Sequence, residues 1–576
     1  MKKLAIFAAA FVLTLGLAQC KKEQPNAQIT EGETVHITVN VNNNGSRADI
    51  QSPSTGHYEF NDGDKLYVGY NGACVGTLNY SASIFSGDIT ISQSGSQRLH
   101  FYYLGGSLEP AIDGTEYTVD ISNQTSDYPV ISYGTSNVDY TGAGTYTTTL
   151  LNKCALVKFT LASGTTDAVA VGGMMTKATI DFANPGVVTP SAAGEITLHT
   201  GASTDEKWAI LLAQDAVDDA LVAVGYYGYT VDIPKIEDNA IAPQFDAINN
   251  SEPSNLIVLN RLTNDYTATN GQVLTGTLAN NVKISIAAGA TVTLDGVSIN
   301  ANGAWTSGNY AGITCEGNAT IILKDGSENT VRGFYQNYPG IHVPENYTLT
   351  IKGDGQLTAN NSNGAGIGGG IGISCGNILI EGGTIKATGG GSAAGIGGAI
   401  SGQCGNITIS GGTVTATGGD EAAGIGGATS CGNITISGGT IKATGGGSAA
   451  GIGSGYKGNC EAITISGGTI EATGGNIAAG IGSGSGGNQG SSCGAITISG
   501  GTVTANGGYG ASGIGSGALK GRCENITITT DVTSVTATMG EESPCSIGYG
   551  FDGNCGTVTI GGVVGAITQS PYTYVP

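Results

Sequence analysis

The stretch GNILIEGGTIKATGGGSAAGIGGA, residues 376–399, recurs with small edits down the C-terminal half of the chain. Aligned on its Ala-Gly-Ile motif or near equivalent, the copies place Ile313, Ile341, Ile367, Ile396, Ile425, Ile452, Ile481, Ile514 and Ile547 at intervals of 28, 26, 29, 29, 27, 29, 33 and 33 residues. A repeat of this length marks a solenoid, in which each unit buries its apolar face only against its neighbours.

Within a repeat the apolar period is two. Ile407 and Ile409 flank Thr408, and Val414 and Ala416 alternate with Thr413, Thr415 and Thr417. Such patterning predicts strands with one apolar and one Thr-rich face. Ser410-Gly411-Gly412 between them is too short for a crossover helix, and a Gly pair accepts the positive φ of a sharp corner. After a second Gly pair comes a third short segment, Ala423-Gly424-Ile425-Gly426. Strand, corner, strand, corner, short strand is one coil of a parallel β-helix, with equivalent residues stacked about 4.8 Å apart. A propeller blade would need about 40 residues and four antiparallel strands. About nine coils are expected. The isoleucines above form one buried column, and Ile378, Ile407, Ile434, Ile463, Ile496, Ile526 and Val558 form another.

Cys375, Cys404, Cys431, Cys460, Cys493, Cys523 and Cys555 each lie three residues before the residue that opens a first strand. Three readings apply to this column. The first is a stack of buried free thiols, since Cys packs as a small hydrophobe. The second is disulfides between neighbouring coils, whose spacing lies within the Cα range that disulfides tolerate. Seven is odd, so one thiol is left over unless Cys315 or Cys545, off the column, reaches it. The third, zinc, lacks a Cys-x-x-Cys pair and a nearby His.

The 576 residues carry 22 Lys and Arg against 44 Asp and Glu, a net charge of −22. That balance disfavours nucleic acid and anionic membrane surfaces as partners. Glycine, at 99 residues, would suggest disorder if it were aperiodic; here it sits at corners.

The N-terminus begins Met1-Lys2-Lys3, followed by an apolar run from Leu4 to Ala18, short for a transmembrane span. Residues 1–19 are read as a secretory signal. Leu17-Ala18-Gln19-Cys20 resembles the lipobox of bacterial lipoproteins, with Gln19 in place of the usual small residue. The resemblance implies lipid attachment at Cys20, outer-membrane anchoring and exposure at the cell surface; the alternative is ordinary signal cleavage beside an incidental Cys. Several acyl chains on one residue anchor a protein stably. Residues 20–26 are polar and form a tether.

From 27 to 250 the repeats vanish and alternating runs appear, among them His36 to Val41, Lys65 to Val68, Ala155 to Leu161 and Val222 to Tyr227. They predict an antiparallel β-sandwich. The run Phe60-Asn61-Asp62-Gly63-Asp64-Lys65-Leu66-Tyr67-Val68, the strand Cys154-Ala155-Leu156-Val157-Lys158-Phe159 and the segment Trp208-Ala209-Ile210-Leu211-Leu212-Ala213-Gln214 resemble, in this order, the fimbrillin family of Gram-negative outer-membrane proteins. The resemblance implies a surface lipoprotein related to pilus subunits, anchors or tips. Polymerising members lose a first strand after an Arg and receive a donor strand in its place. Arg47, in Asn43-Asn44-Gly45-Ser46-Arg47, is the position to which such processing would map; the plainer reading is a loop residue. The fused solenoid departs from the pattern of a stalk subunit and favours a tip-like or stand-alone adhesin. Cys74 and Cys154, the two cysteines of this region, leave a disulfide open.

Asn249 to Asn255 reads as a linker, and 251–576 as the β-helix. Its first coils are irregular, with loops that hold Trp305, Tyr310, Phe334, Tyr335, Tyr338 and Tyr347. This part resembles the right-handed parallel β-helical carbohydrate-binding domains of secreted bacterial proteins. Trp305, Phe334, Tyr335 and Tyr338 are the candidate glycan contacts, because sugar rings stack on exposed aromatic faces. The competing reading is a lateral cover over the first coils. The tail from Gly561 to Pro576 breaks the repeat and is expected to cap the last coil, whose edge would otherwise invite strand addition.

Parallel β-helices also host polysaccharide lyases and hydrolases. Glycoside hydrolysis needs two carboxylates roughly 5 to 9.5 Å apart. Glu381, Asp420, Glu421, Glu461, Glu471 and Glu524 do not align into carboxylate pairs in adjacent coils; Glu471 is equivalent to Lys386, Thr415 and Lys442. These positions read as a solvated face. Asp295, Glu316, Asp325, Glu328, Arg332, His342, Glu345 and Asp354 enrich the early coils. His342 follows Ile341 and should point outward, and Arg332 and His342 are the residues on which a lyase or hydrolase reading would rest. Carboxylates there are of the kind that holds Ca²⁺, but without Asp-x-Asp spacing. No catalytic residue, metal or cofactor is assigned. The expectation is a non-enzymatic surface lipoprotein acting as adhesin or glycan-binding module. A pilus tip or anchor component and a β-helix lyase or hydrolase are the alternatives.

Overall fold

A computed structural model describes residues 32–42, 60–91, 97–104, 114–124, 130–162, 167–198, 206–237, 241–244, 253–278, 282–301 and 309–576. The signal segment, Cys20, the tether, Arg47 and Trp305 lie outside the described residues. The described residues are all-β; among them one turn of 3-10 helix, Leu259–Arg261, interrupts the strands. The chain divides into two compact units, Met1–Ala220 with Val231–Ile248, and Leu221–Thr230 with Asn249–Pro576.

The first unit is built on an eight-stranded sheet. In chain order the strands are Glu33–Val41 (β1), Lys65–Tyr70 (β2), Ala73–Ser81 (β3), Ile84–Ile91 (β4), Arg98–Tyr103 (β5), Glu116–Asp120 (β6), Ser132–Asp139 (β7), Gly144–Thr148 (β8) and Leu151–Asn152 (β9). The sheet runs β8-β1-β4-β3-β2-β5-β7-β9, and β6 pairs elsewhere, with Val169–Asp181. Pairing is antiparallel except at β1 and β8, where Ile37 to Val41 run parallel to Gly144 to Thr148. Alternation puts Ile37, Val39, Leu66, Val68, Phe85 and Phe101 in a wholly buried core. Phe60 closes that core, with its ring 4.8 Å from Phe85 and 5.3 Å from Tyr103. Two of the fimbrillin-like segments are partners: Cys154 to Thr160 pair antiparallel with Leu212 to Glu206, setting Lys158 opposite Trp208. Cys74 and Cys154 are both buried, and the disulfide left open by the sequence is not formed. Their thiols turn to different carbonyls, those of Gly76 and Ile131.

The second unit is the β-solenoid. A regular coil has four strands, as in Ile407–Ile409, Thr413–Thr417, Ile425–Gly426 and Ser430–Cys431. Each lies parallel to its equivalent one coil on, Ile407 beside Ile434, Val414 beside Ile441, Ile425 beside Ile452 and Cys431 beside Cys460. The Ala-Gly-Ile isoleucines occupy nine strands of one eleven-stranded sheet, which Ile284 and Tyr266 extend upstream. All nine are fully buried. Burying such a side chain contributes roughly 1.5–3 kcal/mol, and here the gain recurs once per coil.

Glycine and asparagine solve the corners. The Gly after each buried isoleucine from Ile367 onward has a φ between +131° and +140°. At Gly453 an added Cβ would overlap the carbonyl oxygen of Gly482 in the next coil. Asn377 and Asn406 each use Oδ1 to accept the backbone N–H of the Asn one coil on, both at 2.8 Å. This ladder satisfies corner amides that have no strand partner and accounts for the recurrent Gly-Asn-Ile.

Both ends are closed. Tyr227 and Gly228 pair antiparallel with Ile257 and Leu256, and Tyr226 lies against the core with its ring 5.6 Å from Tyr266. At the other end the tail caps the last coil. Val563 and Val564 fold back on Ile560 and Thr559, Ile567 bridges Ile547, and Tyr572 to Tyr574 pair antiparallel with Ala537 to Val535. Reversed strand direction ends the parallel stack and blunts its edges.

Candidate binding surface

The outward face of the second strands carries polar columns between the buried ones. Thr384, Thr413, Thr440, Thr469, Thr502 and Ser534 form one, in unbroken register. Lys386, Thr415, Lys442, Glu471, Thr504 and Thr536 form the next. Lys442 Nζ donates to Glu471 Oε1 at 2.9 Å, and both side chains are half or more exposed. The face is a solvated array of hydroxyls with interspersed charge.

The aromatic residues expected to contact glycan separate. Phe334 is fully buried in the solenoid core with its ring 5.1 Å from Tyr310, so it has no face for a sugar. It packs among the core side chains rather than over the coils, so neither the glycan-contact nor the lateral-cover reading describes it. Tyr335 and Tyr338 are half-buried at a turn, ring centroids 6.3 Å apart and steeply inclined. The Asn361 side-chain amide donates to the carbonyls of both, pinning the turn. Exposed rings also occur at Tyr347 and Tyr509, and at Tyr456 the Lys457 ammonium sits 4.6 Å from the ring centroid.

His342 lies on the outward side of the Ile341 strand but is partly covered. Its Nε2 is 3.2 Å from the Ser374 carbonyl oxygen, and burial pushes its pKa below the ordinary value against that hydrogen bond. Arg332 donates to Ser362 Oγ at 2.9 Å. Asp295 pairs with Lys324 at 2.7 Å, and Glu316 accepts from Thr267 Oγ1 at 3.2 Å, so the early carboxylates are spread over separate partners. Among the described residues no group of three or more His, Cys, Asp or Glu is placed to hold a metal ion.

The seven cysteines form a fourth face. From Cys404 to Cys555 they sit on a six-stranded sheet of two- and three-residue strands, with Cys375 bridged to Cys404. None of the seven is in a disulfide, and all but Cys555 are buried. Cys431 Sγ lies 2.9 Å from Cys460 Sγ. Beside the last four runs an open groove of about 830 Å³, flanked by Glu461, Ser492, Arg522, Glu524 and Asn554. Sequence reasoning found the column but not the groove; its signal was the polar residue before each late Cys, with an acid also following Cys460 and Cys523.

A β-solenoid of stacked repeats joined to a sheet-built N-terminal unit is the class this fold defines. The family model described as Beta helix repeat matches residues 349–371, 378–400, 407–429, 434–456, 463–485 and 496–518. No curated protein matches the chain. Solved structures similar to it include a candidate cell adhesion protein from Bacteroides uniformis, at 17% identity over 34% of this chain and 85% of that one, TM-score 0.25. Another candidate cell adhesion protein, from Bacteroides ovatus, is 14% identical over 39% and 95%, TM-score 0.27. The fimbrial anchor protein Mfa2 from Porphyromonas gingivalis is 11% identical over 33% and 77%, TM-score 0.22.

Proposed function

We propose that this protein is a non-enzymatic, lipid-anchored surface adhesin whose solenoid binds a repeating polymer, a glycan in the first instance. The periodic outward face carries the reading. One hydroxyl or charged group per coil, at the same place in each, repeats along the stack at about 4.8 Å. Such an array matches a ligand that is itself a repeat, and Thr, Lys and Glu side chains suit a hydroxyl-rich one. Weak contacts made many times along one polymer sum to useful affinity. The pairing of Glu471 with Lys442 rather than with a second acid supports binding over hydrolysis. Surface placement rests on the N-terminal apolar run and Cys20.

A glycan array probed with the purified full chain tests this. Saturable binding without product release is expected. Failure to bind any glycan overturns the glycan reading, and release of shortened product overturns the non-enzymatic one. A fimbrial tip or anchor role is the neighbouring reading, supported by the three fimbrillin-like segments; recovery of the protein in shed fimbriae, cleaved after Arg47, would favour it.

A further inference from the structure

The cysteine column is uniform in sequence but not in environment. Cys523 and Cys555 are register partners on adjacent strands, so their Cα atoms stand about 4.8 Å apart, inside the span a disulfide tolerates. Cys555 is the half-exposed member of the column, while Cys375, Cys404, Cys431, Cys460, Cys493 and Cys523 are buried. Both Cys523 and Cys555 line the groove of about 830 Å³. Arg522 lines it too, next to Cys523 in the chain, and is the one arginine beyond residue 332.

We propose that Cys523 and Cys555 form a redox-active pair, in which Cys555 reacts with a small disulfide of the glutathione type admitted by the groove and Cys523 resolves it.

The chemistry balances. The Cys555 thiolate attacks one sulfur of the external disulfide, whose S–S bond breaks and expels one thiolate. Cys523, deprotonated, attacks the Cys555 sulfur and expels the second. Two protein thiols are oxidised, the external disulfide is reduced to two thiols, and these take up the two protons. Three features favour this order. The reagent reaches the partly exposed Cys555 before the buried Cys523. Arg522 shares the groove with Glu461 and Glu524, so it offsets part of their charge and favours a thiolate nearby. The Cys523 thiol, hydrogen-bonded to Cys555, holds the Cys555 pKa below its ordinary value, whereas that same contact and burial push Cys523 well above its own. The product is a covalent staple between the last two strands of the cysteine sheet, in the coils that the C-terminal tail covers.

The test uses the full chain, reduced and freed of reductant, then exposed to glutathione disulfide. Reaction is quenched by alkylation and mapped by peptide mass. A Cys523–Cys555 cross-link should form first, at a rate at least about tenfold above any bridge among Cys375, Cys404, Cys431 and Cys460. Cys523→Ser should trap one stable, reducible glutathione adduct on Cys555. The proposal is overturned if the first bridge forms elsewhere in the column. It is equally overturned if Cys555 in the unmodified chain stays free, or holds glutathione without resolving it. These wild-type outcomes decide the matter even if Cys523→Ser does not fold.

Discussion

Replacing Gly453 by Ala isolates the stacking of coils from every other property of the solenoid. Two penalties arise. Gly453 has a φ of +136°, where an L side chain costs about 1–3 kcal/mol. Its new Cβ would also overlap the Gly482 carbonyl oxygen, and forcing coils apart in a packed stack costs about 1–3 kcal/mol more. Alanine returns roughly 0.4–1 kcal/mol by restricting the unfolded chain. The net is a destabilisation of about 3 kcal/mol. Gly372 is the control. Its φ is +67° but nothing stands within 4 Å of an added Cβ, so Gly372→Ala should cost about 1 kcal/mol or less. With a urea m-value of about 3 kcal/mol/M, the far-UV circular dichroism midpoint should fall by about 1 M for Gly453→Ala and by about 0.3 M or less for Gly372→Ala. Equal shifts would refute the reasoning, because backbone sign alone would then account for both.

Other perturbations follow from the same contacts. His342 is pushed below its ordinary pKa of 6.5 by burial, so the folded state binds its proton less readily than the unfolded state. Its stability contribution is therefore present above about pH 6.5 and lost as pH falls through the lowered folded value. His342→Gln should flatten the urea midpoint between pH 7.5 and 5.5 relative to the unmodified chain, and an unchanged slope would contradict this. Removing residues 563–576 strips the antiparallel strands from Val535 to Ala537 and from Thr559 and Ile560. The bared edges should associate, read as a rise in light scattering; a monodisperse truncated protein would count against the capping role. The Lys442–Glu471 pair is exposed, so Lys442→Ala should move stability by no more than about 0.5 kcal/mol.

The regular coils were legible in the chain because each carries its own packing rule. Isoleucine at one place per coil, alternation with threonine, and glycine at the corner agree locally and globally. The cysteine column and a cap on the last coil followed from the same alignment; the fourth strand of each coil, which carries the cysteines, and the reversed direction of the cap did not. Where the period breaks, side-chain direction was not legible. Phe334 shares its loop with Tyr335 and Tyr338, yet Phe334 turns into the core and the other two stay half-exposed. Nothing in the order of three aromatic residues distinguishes them. The segment Leu221–Thr230 belongs to the solenoid unit although it lies among strands of the first. Antiparallel pairing of Tyr227 and Gly228 with Ile257 and Leu256 is a long-range contact with no repeat to announce it. The groove beside Cys523 and Cys555 was hidden for a different reason. It depends on which coils place charged residues beside the cysteines, and those residues differ from coil to coil.

Spin labels carried by introduced unnatural amino acids at Thr384 and at Thr502 or Ser534 test the coil stack most directly. These positions lie in one column, four and five coils apart. Pulsed dipolar spectroscopy should give narrow distributions whose centres differ by about 4.8 Å, near 19 and 24 Å before allowance for the label arms. Broad distributions, or a separation that does not grow by one coil step, would contradict the stacked solenoid on which the binding face and the cysteine column both depend.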